Sequence, residues 1–224
     1  MSEIEETSKA TQEIAKTANN ALDKAEKAGT FIAKYIDAPL TEITGIWNDK
    51  LKYRRWENQL NLWTKANKKL KELGLESPLK ELPLKLGLPL IEAASLKEDD
   101  KLQELWANLL VNSATEFSLE RSYISVLEEL STLEAEIMMI IYGNTGSIEK
   151  HDGASIIYKT KEIFEKFILK GIPEYDIKLA LSNLTRLQCL LRVINHGGGE
   201  NFKSVHTTIF GRSLFEAIKD PTNK

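Results

Sequence analysis

The chain has 224 residues, 42% hydrophobic and 28% charged, with a formal net charge of −3. That length can bury a substantial core, and the slight negative charge excludes bulk attraction to nucleic acid while leaving room for a local basic face. One cysteine, Cys189, excludes a disulfide framework or a cysteine metal cluster, and this usage fits the cytoplasm.

Residues 1–38 read as an alanine-rich helix. Ile4, Thr7, Thr11, Ile14, Ala18, Ala21, Ala25, Ala28, Ile32 and Tyr35 alternate at three and four, a heptad seam. The plain expectation is a thin surface helix lying on the body; the sharper one is a partner helix that allows a homo-oligomer. Its start is acidic and lacks an apolar core, so it is no secretory signal, and its polar face does not suit a membrane surface.

Pro39 breaks that pattern, and a second helix is expected from Leu40 to Leu73, ended by Gly74 as a left-handed cap. Its cations Lys52, Arg54, Arg55, Lys65, Lys68 and Lys69 make it the most basic stretch. Interleaved with Trp56 and Trp63, they form a candidate basic face for nucleic acid. The alternative is a solvated face whose arginines pair with acids near residues 98–104.

Leu82, Leu84, Leu86, Leu88 and Leu90 alternate strictly around Pro83 and Pro89. Period two with two prolines predicts an extended segment crossing the helices. A central helix follows, with Ser95 and Glu98 as its capping box. Leu102, Leu105, Trp106, Leu109 and Leu110 form one apolar face, and Asn108 and Asn112 have no evident place. Residues 39–130 thus read as a helical core domain, closed by a helix over 119–130.

Residues 131–224 change character. Ser131 and Glu134 form a second capping box, opening a helix over 133–142. Helices over 159–169 and 175–189 follow, separated by Gly171 and Pro173. Strands over 191–194 and 205–210 flank a glycine-rich loop, and a helix over 211–218 closes the chain. The expected fold is mainly α, a helical N-terminal body with a C-terminal winged-helix-like module containing one β-hairpin. In that module Lys178, Ser182, Asn183, Arg186, Arg192 and Lys203 are the candidate nucleic-acid contacts. Glu174 and Asp176 at the start of the recognition helix oppose phosphates, so protein contact is favoured over DNA.

Nothing in the residues points to catalysis. His151, His196 and His206 are scattered, without metal-ligand spacing. Phe202 stands where a phosphate-binding loop needs glycine before Lys203, and no serine has a nucleophile-elbow setting. No enzyme, metal or cofactor is expected. No apolar run spans a bilayer, the longest being Ile137 to Tyr142.

The segment PLIEAASLKEDDKLQELWANLLVNSA resembles the signature of the abortive infection alpha family of bacterial phage-resistance proteins. Its marks are Pro89, Ala94-Ser95, Glu98-Asp99-Asp100 and Leu102 through Leu110. The resemblance covers roughly residues 40 to 218. Lys97 departs from the acid or small residue common there, and Gln188-Cys189 replaces a Leu-Gly step. The resemblance implies a phage-defence role with no catalytic residues to carry over. Two readings stand: a non-enzymatic defence protein acting as sensor or effector through an unidentified protein partner, a phage-derived one among the options, or a nucleic-acid-binding regulator using the C-terminal module.

Overall fold

The computed structural model describes residues 50–75, 80–115, 117–145, 156–193 and 202–223. The alanine-rich helix expected over residues 1–38 lies outside them, as do His151, His196 and the glycine-rich loop tip. Among the described residues there are eight helices and three short strands. In order these are α1 (Lys50–Glu72), α2 (Leu84–Ser95), α3 (Asp100–Thr115), α4 (Arg121–Glu129), α5 (Thr132–Thr145), β1 (Ile157–Lys159), α6 (Lys161–Leu169), α7 (Glu174–Arg186), β2 (Leu190–Arg192), β3 (Ser204–Thr207) and α8 (Ile209–Ile218). The protein is mainly helical with one small antiparallel sheet.

α3 is the centre. Leu102, Leu105, Trp106, Leu109 and Leu110 are all buried, as their spacing requires. α1 lies against it and buries Trp56, Leu62, Trp63, Ala66 and Leu70. α8 packs on another side, and one apolar core runs continuously from Leu62 to Ile218.

Two expectations are corrected around α3. The Leu82–Leu90 segment is largely helical, not extended: Pro83 precedes the first turn of α2, and Pro89 sits inside it. Strict alternation contains a hidden helical set, because Leu82, Leu86 and Leu90 are four apart. Leu82 and Leu90 are buried and Leu86 packs against the core, whereas Leu84 faces outward. A proline-led first turn tolerates the missing amide. Nor does Ser95 cap α3. It is the last residue of α2, and its hydroxyl donates to the Glu92 carbonyl at 2.6 Å. Asp99 is the cap, its Oδ1 accepting from the amides of Lys101 and Leu102, each at 3.0 Å. Glu98 is turned away to Arg54.

The second capping box forms as spaced. The Ser131 amide donates to Glu134 Oε2 at 2.7 Å, and the Glu134 amide donates to Ser131 Oγ at 3.3 Å. α5 continues three residues past the expected end at Tyr142.

In the last third, β3 is central, with β1 and β2 antiparallel on either side. β1 is an addition to the expected hairpin; three residues are too few to show a period. The return strand ends at Thr207 rather than Phe210. Thr208 turns out of the sheet, and its Oγ1 accepts from the Gly211 amide at 2.8 Å, starting α8.

Candidate functional site

The surface to consider is built by α6, the turn at residues 170–173, and α7. α6 buries Ile163 and Phe167. It ends on Gly171 at φ +80°, where the amide of Ile172 reaches back to the Phe167 carbonyl at 3.0 Å. Pro173 then precedes the first turn of α7, which buries Ile177, Ala180, Leu181 and Leu184.

What these helices leave outside is apolar. Leu169 is 88% exposed, Tyr175 72% and Leu179 55%. Tyr175 and Leu179 are four apart on one face of α7. The spacing held the signal: both fall out of phase with the buried Ile177, Leu181 and Leu184 stripe. Sequence reasoning weighed only the polar residues of this face and passed over them.

The polar candidates on α7 are mostly engaged within the chain. Lys178 Nζ is 2.7 Å from Glu174 Oε1, one turn back. Arg186 pairs with Glu129 of α4, and its Nε donates to Asn183 Oδ1 at 2.7 Å. Asn183 Nδ2 donates to Glu134 Oε1 at 2.6 Å, so the capping-box acid also anchors α7. Ser182 is half-buried beside them. Arg192 and Lys203 are exposed at the β2 and β3 ends of the connection between those strands.

The candidate basic face behaves similarly. Arg54 meets Glu98 at 2.8 Å, and Arg55 Nε reaches Ser95 Oγ at 3.4 Å. Lys65 lies 2.9 Å from Asp100 and 3.0 Å from Glu104. Lys68 stands 3.8 Å from Glu72. Lys69 is buried between Glu104 at 2.6 Å and Asp220 at 3.2 Å. The Lys52 side chain lies outside the described residues. α1 therefore turns Lys65 and Lys69 inward, onto α3 and the segment after α8, while Arg54, Arg55 and Lys68 stay exposed.

Reactive chemistry is muted. Burial, with a smaller contribution from Glu134, pushes the Cys189 thiol up to about 12, leaving it protonated and unreactive at neutral pH. Among the described residues, no group of three or more His, Cys, Asp or Glu side chains could hold a metal ion. None of the described helices is long and apolar enough to cross a membrane.

A second feature lies between α3 and α5, an open cleft of about 370 Å³. Leu105, Ala135, Met139 and Ile140 form its apolar floor, and Lys101, Glu104, Glu136 and Lys166 its rim. Glu136 is shared by Lys101 and Lys170, the latter at 3.1 Å. Burial works against its charge, but these two hydrogen bonds outweigh it and hold the carboxyl below its usual range.

No curated protein and no solved structure matches the chain. The family model of abortive infection alpha matches residues 57–220, taking in every element from α2 through α8 and most of α1. On that coverage the chain belongs to the abortive infection alpha family.

Proposed function

We propose that this chain acts in phage defence as a sensor or effector, without catalysis, by holding a protein partner on the α6–α7 surface. Family membership supports the defence role. The observation that carries the mode of action is the exposed Leu169, Tyr175 and Leu179 beside cations already paired with acids of the same chain. Exposed aromatic and aliphatic anchors favour a protein partner, whereas neutralised lysines and arginines release few counterions from nucleic acid.

The test is a phage panel plated on cells with and without the gene, and with Tyr175→Asp/Leu179→Asp. The gene lowers plaque counts for at least one phage, and the double variant restores them at unchanged protein level. Equal counts for every phage remove the defence role. Full protection by the double variant removes the α7 surface.

A second reading takes the order α5, β1, α6, α7, β2, β3 with β3 central as support for a winged-helix-like module. As a nucleic-acid-binding regulator, the chain would use α7 and the connection carrying Arg192 and Lys203. Duplex DNA binding at low salt that weakens steeply as salt rises, and that Arg192→Glu/Lys203→Glu abolishes, supports this reading. Absence of binding at low salt overturns it.

A further inference from the structure

The α3–α5 cleft has the form of a short trench. Thr132, Ala135, Glu136, Met139 and Ile140 follow one another along a single face of α5 at i, i+3, i+4, i+7 and i+8, a run of about 12 Å at helical rise. Leu105 of α3 completes the floor. Ala135 and Leu105 are buried, whereas Met139 and Ile140 pack on the core yet stay half-exposed. The volume of about 370 Å³ falls in the range of small-molecule sites, which are mostly apolar with a few placed polar groups.

The rim supplies those groups. Its two carboxylates are each held by two lysines: Glu136 by Lys101 and Lys170, Glu104 by Lys65 and Lys69. So neutralised, they do not repel an anion as free carboxylates would. Lys166 of α6 lines the same rim, is exposed, and has no carboxylate partner among the described residues. The charge it offers a ligand is a single positive one beside an apolar trench.

A ligand that matches carries a slender apolar body about as long as the trench, and one negative charge. A cation meets Lys166 with like charge, and an uncharged hydrocarbon leaves it unused. From the apolar floor and the Lys166 ammonium beside it, we infer that the α3–α5 cleft binds a small, free amphiphilic monoanion, a single apolar chain ending in a carboxylate. This site is distinct from the α6–α7 partner surface and does not depend on what that surface holds.

Octanoate is the probe, titrated into the full chain carrying methionine labelled with carbon-13 at its methyl group. The chain has three methionines. Met139 lines the cleft and its neighbour Met138 is fully buried, so one signal reports binding and the other the fold. The expected result is a saturable Met139 shift at about millimolar octanoate, the affinity scale of so small a ligand in an open site, with Met138 moving little. Octylammonium, the same chain with its charge reversed, binds at least about tenfold more weakly, and Lys166→Glu weakens octanoate by about fivefold with the Met138 signal unchanged. Tyr175→Asp/Leu179→Asp leaves the titration as in the parent. Absence of a saturable Met139 shift overturns the inference. Equal binding of octanoate and octylammonium, or of octanoate to the parent and Lys166→Glu, overturns it by removing the charge match. Loss of binding in Tyr175→Asp/Leu179→Asp overturns it by moving the ligand to the α7 surface. Co-sedimentation with phosphatidylglycerol vesicles that Lys166→Glu abolishes also overturns it, giving the cleft to a membrane lipid instead of a free molecule.

Discussion

Asn108 Nδ2 donates to the backbone carbonyl of Ile218 at 2.9 Å, joining the central helix to the last residue of α8. One turn on, Asn112 Nδ2 donates to the carbonyls of Ala217 and Lys219, at 2.9 and 3.0 Å. The final carbonyls of a helix have no partner within it; two asparagines four apart on α3 supply one from another element. Asn108 Oδ1 is buried without a hydrogen-bond partner among the described residues, so amide donation is what this side chain contributes. Asn108→Ala is expected to cost about 2 kcal/mol, because it strands a buried carbonyl. Asn112→Ala, at a half-exposed position that water can reach, costs about 1 kcal/mol. Urea denaturation measures both, and equal small losses would show that the α8 carbonyls are satisfied without these amides.

Gly211 lies where no side chain fits. A Cβ built there meets Tyr142 Oη at 2.1 Å and the Cys189 carbonyl oxygen at 2.2 Å. Tyr142 Oη itself donates to that carbonyl and accepts from the Thr208 amide at 3.0 Å, tying α5 to the start of β2 and α8. Gly211→Ala is therefore expected to destabilise by about 3 kcal/mol or more. Tyr142→Phe does not rescue it, because the Cys189 backbone still obstructs. Recovery of stability in the double variant would locate the obstruction in the phenol alone.

Much of this was legible locally. The α3 stripe, the Ser131–Glu134 box and the Gly74 cap are set by residues within one or two turns of each other. The helix around Pro89 was not, because leucines at every second position satisfy a period of two and a spacing of four together. Asn108 and Asn112 could not be placed from sequence, since their partners lie more than 100 residues away. The same holds for the cleft, which needs α3, α5 and Lys166 of α6 brought side by side. The exposed Tyr175 and Leu179 were readable, as the apolar residues left off a buried stripe.

α1, α6 and α7 each end on a left-handed residue. Two of these residues are Gly74 and Gly171; the third is Gln188 at φ 59°. The Gln188 amide donates to the Thr185 carbonyl at 3.0 Å, and the Cys189 amide to that of Leu184 at 2.9 Å, which closes α7. The family pattern suggested a glycine in this step, one position later than the residue that needs it. Left-handed backbone costs a side-chain-bearing residue roughly 1 kcal/mol, and Gln188 is exposed, so little packing is lost on its removal. Gln188→Gly is expected to raise stability by about 0.5 kcal/mol, the relieved strain less the added freedom of the unfolded chain. A lowered urea midpoint would mean that the side chain contributes more than the strain removes.

The chain's pH response follows from Lys69, buried between Glu104 and Asp220. Burial opposes the lysine's charge, but hydrogen bonds to both carboxylates outweigh it and raise its pKa above 10.5. Burial would likewise raise Glu104, yet Lys69 and Lys65 hold it below 4.5. Asp220, despite burial, is held below 3.8 by Thr222 and then Lys69. A carboxylate lowered on folding stabilises fully above its unfolded pKa and loses that contribution as pH falls through its folded value. A raised lysine stabilises fully below its unfolded pKa and loses the contribution as pH climbs through its folded value. Stability is therefore expected to be flat from about pH 5 to 10 as far as these three groups are concerned, and to fall on either side. Lys69→Met should be less stable than the parent at pH 7 and lose less on acidification below pH 4.5, because Glu104 and Asp220 then have less to lose on protonation. Urea midpoints from pH 2.5 to 7 decide this: parallel acid limbs for the parent and Lys69→Met would assign the acid loss to other carboxylates.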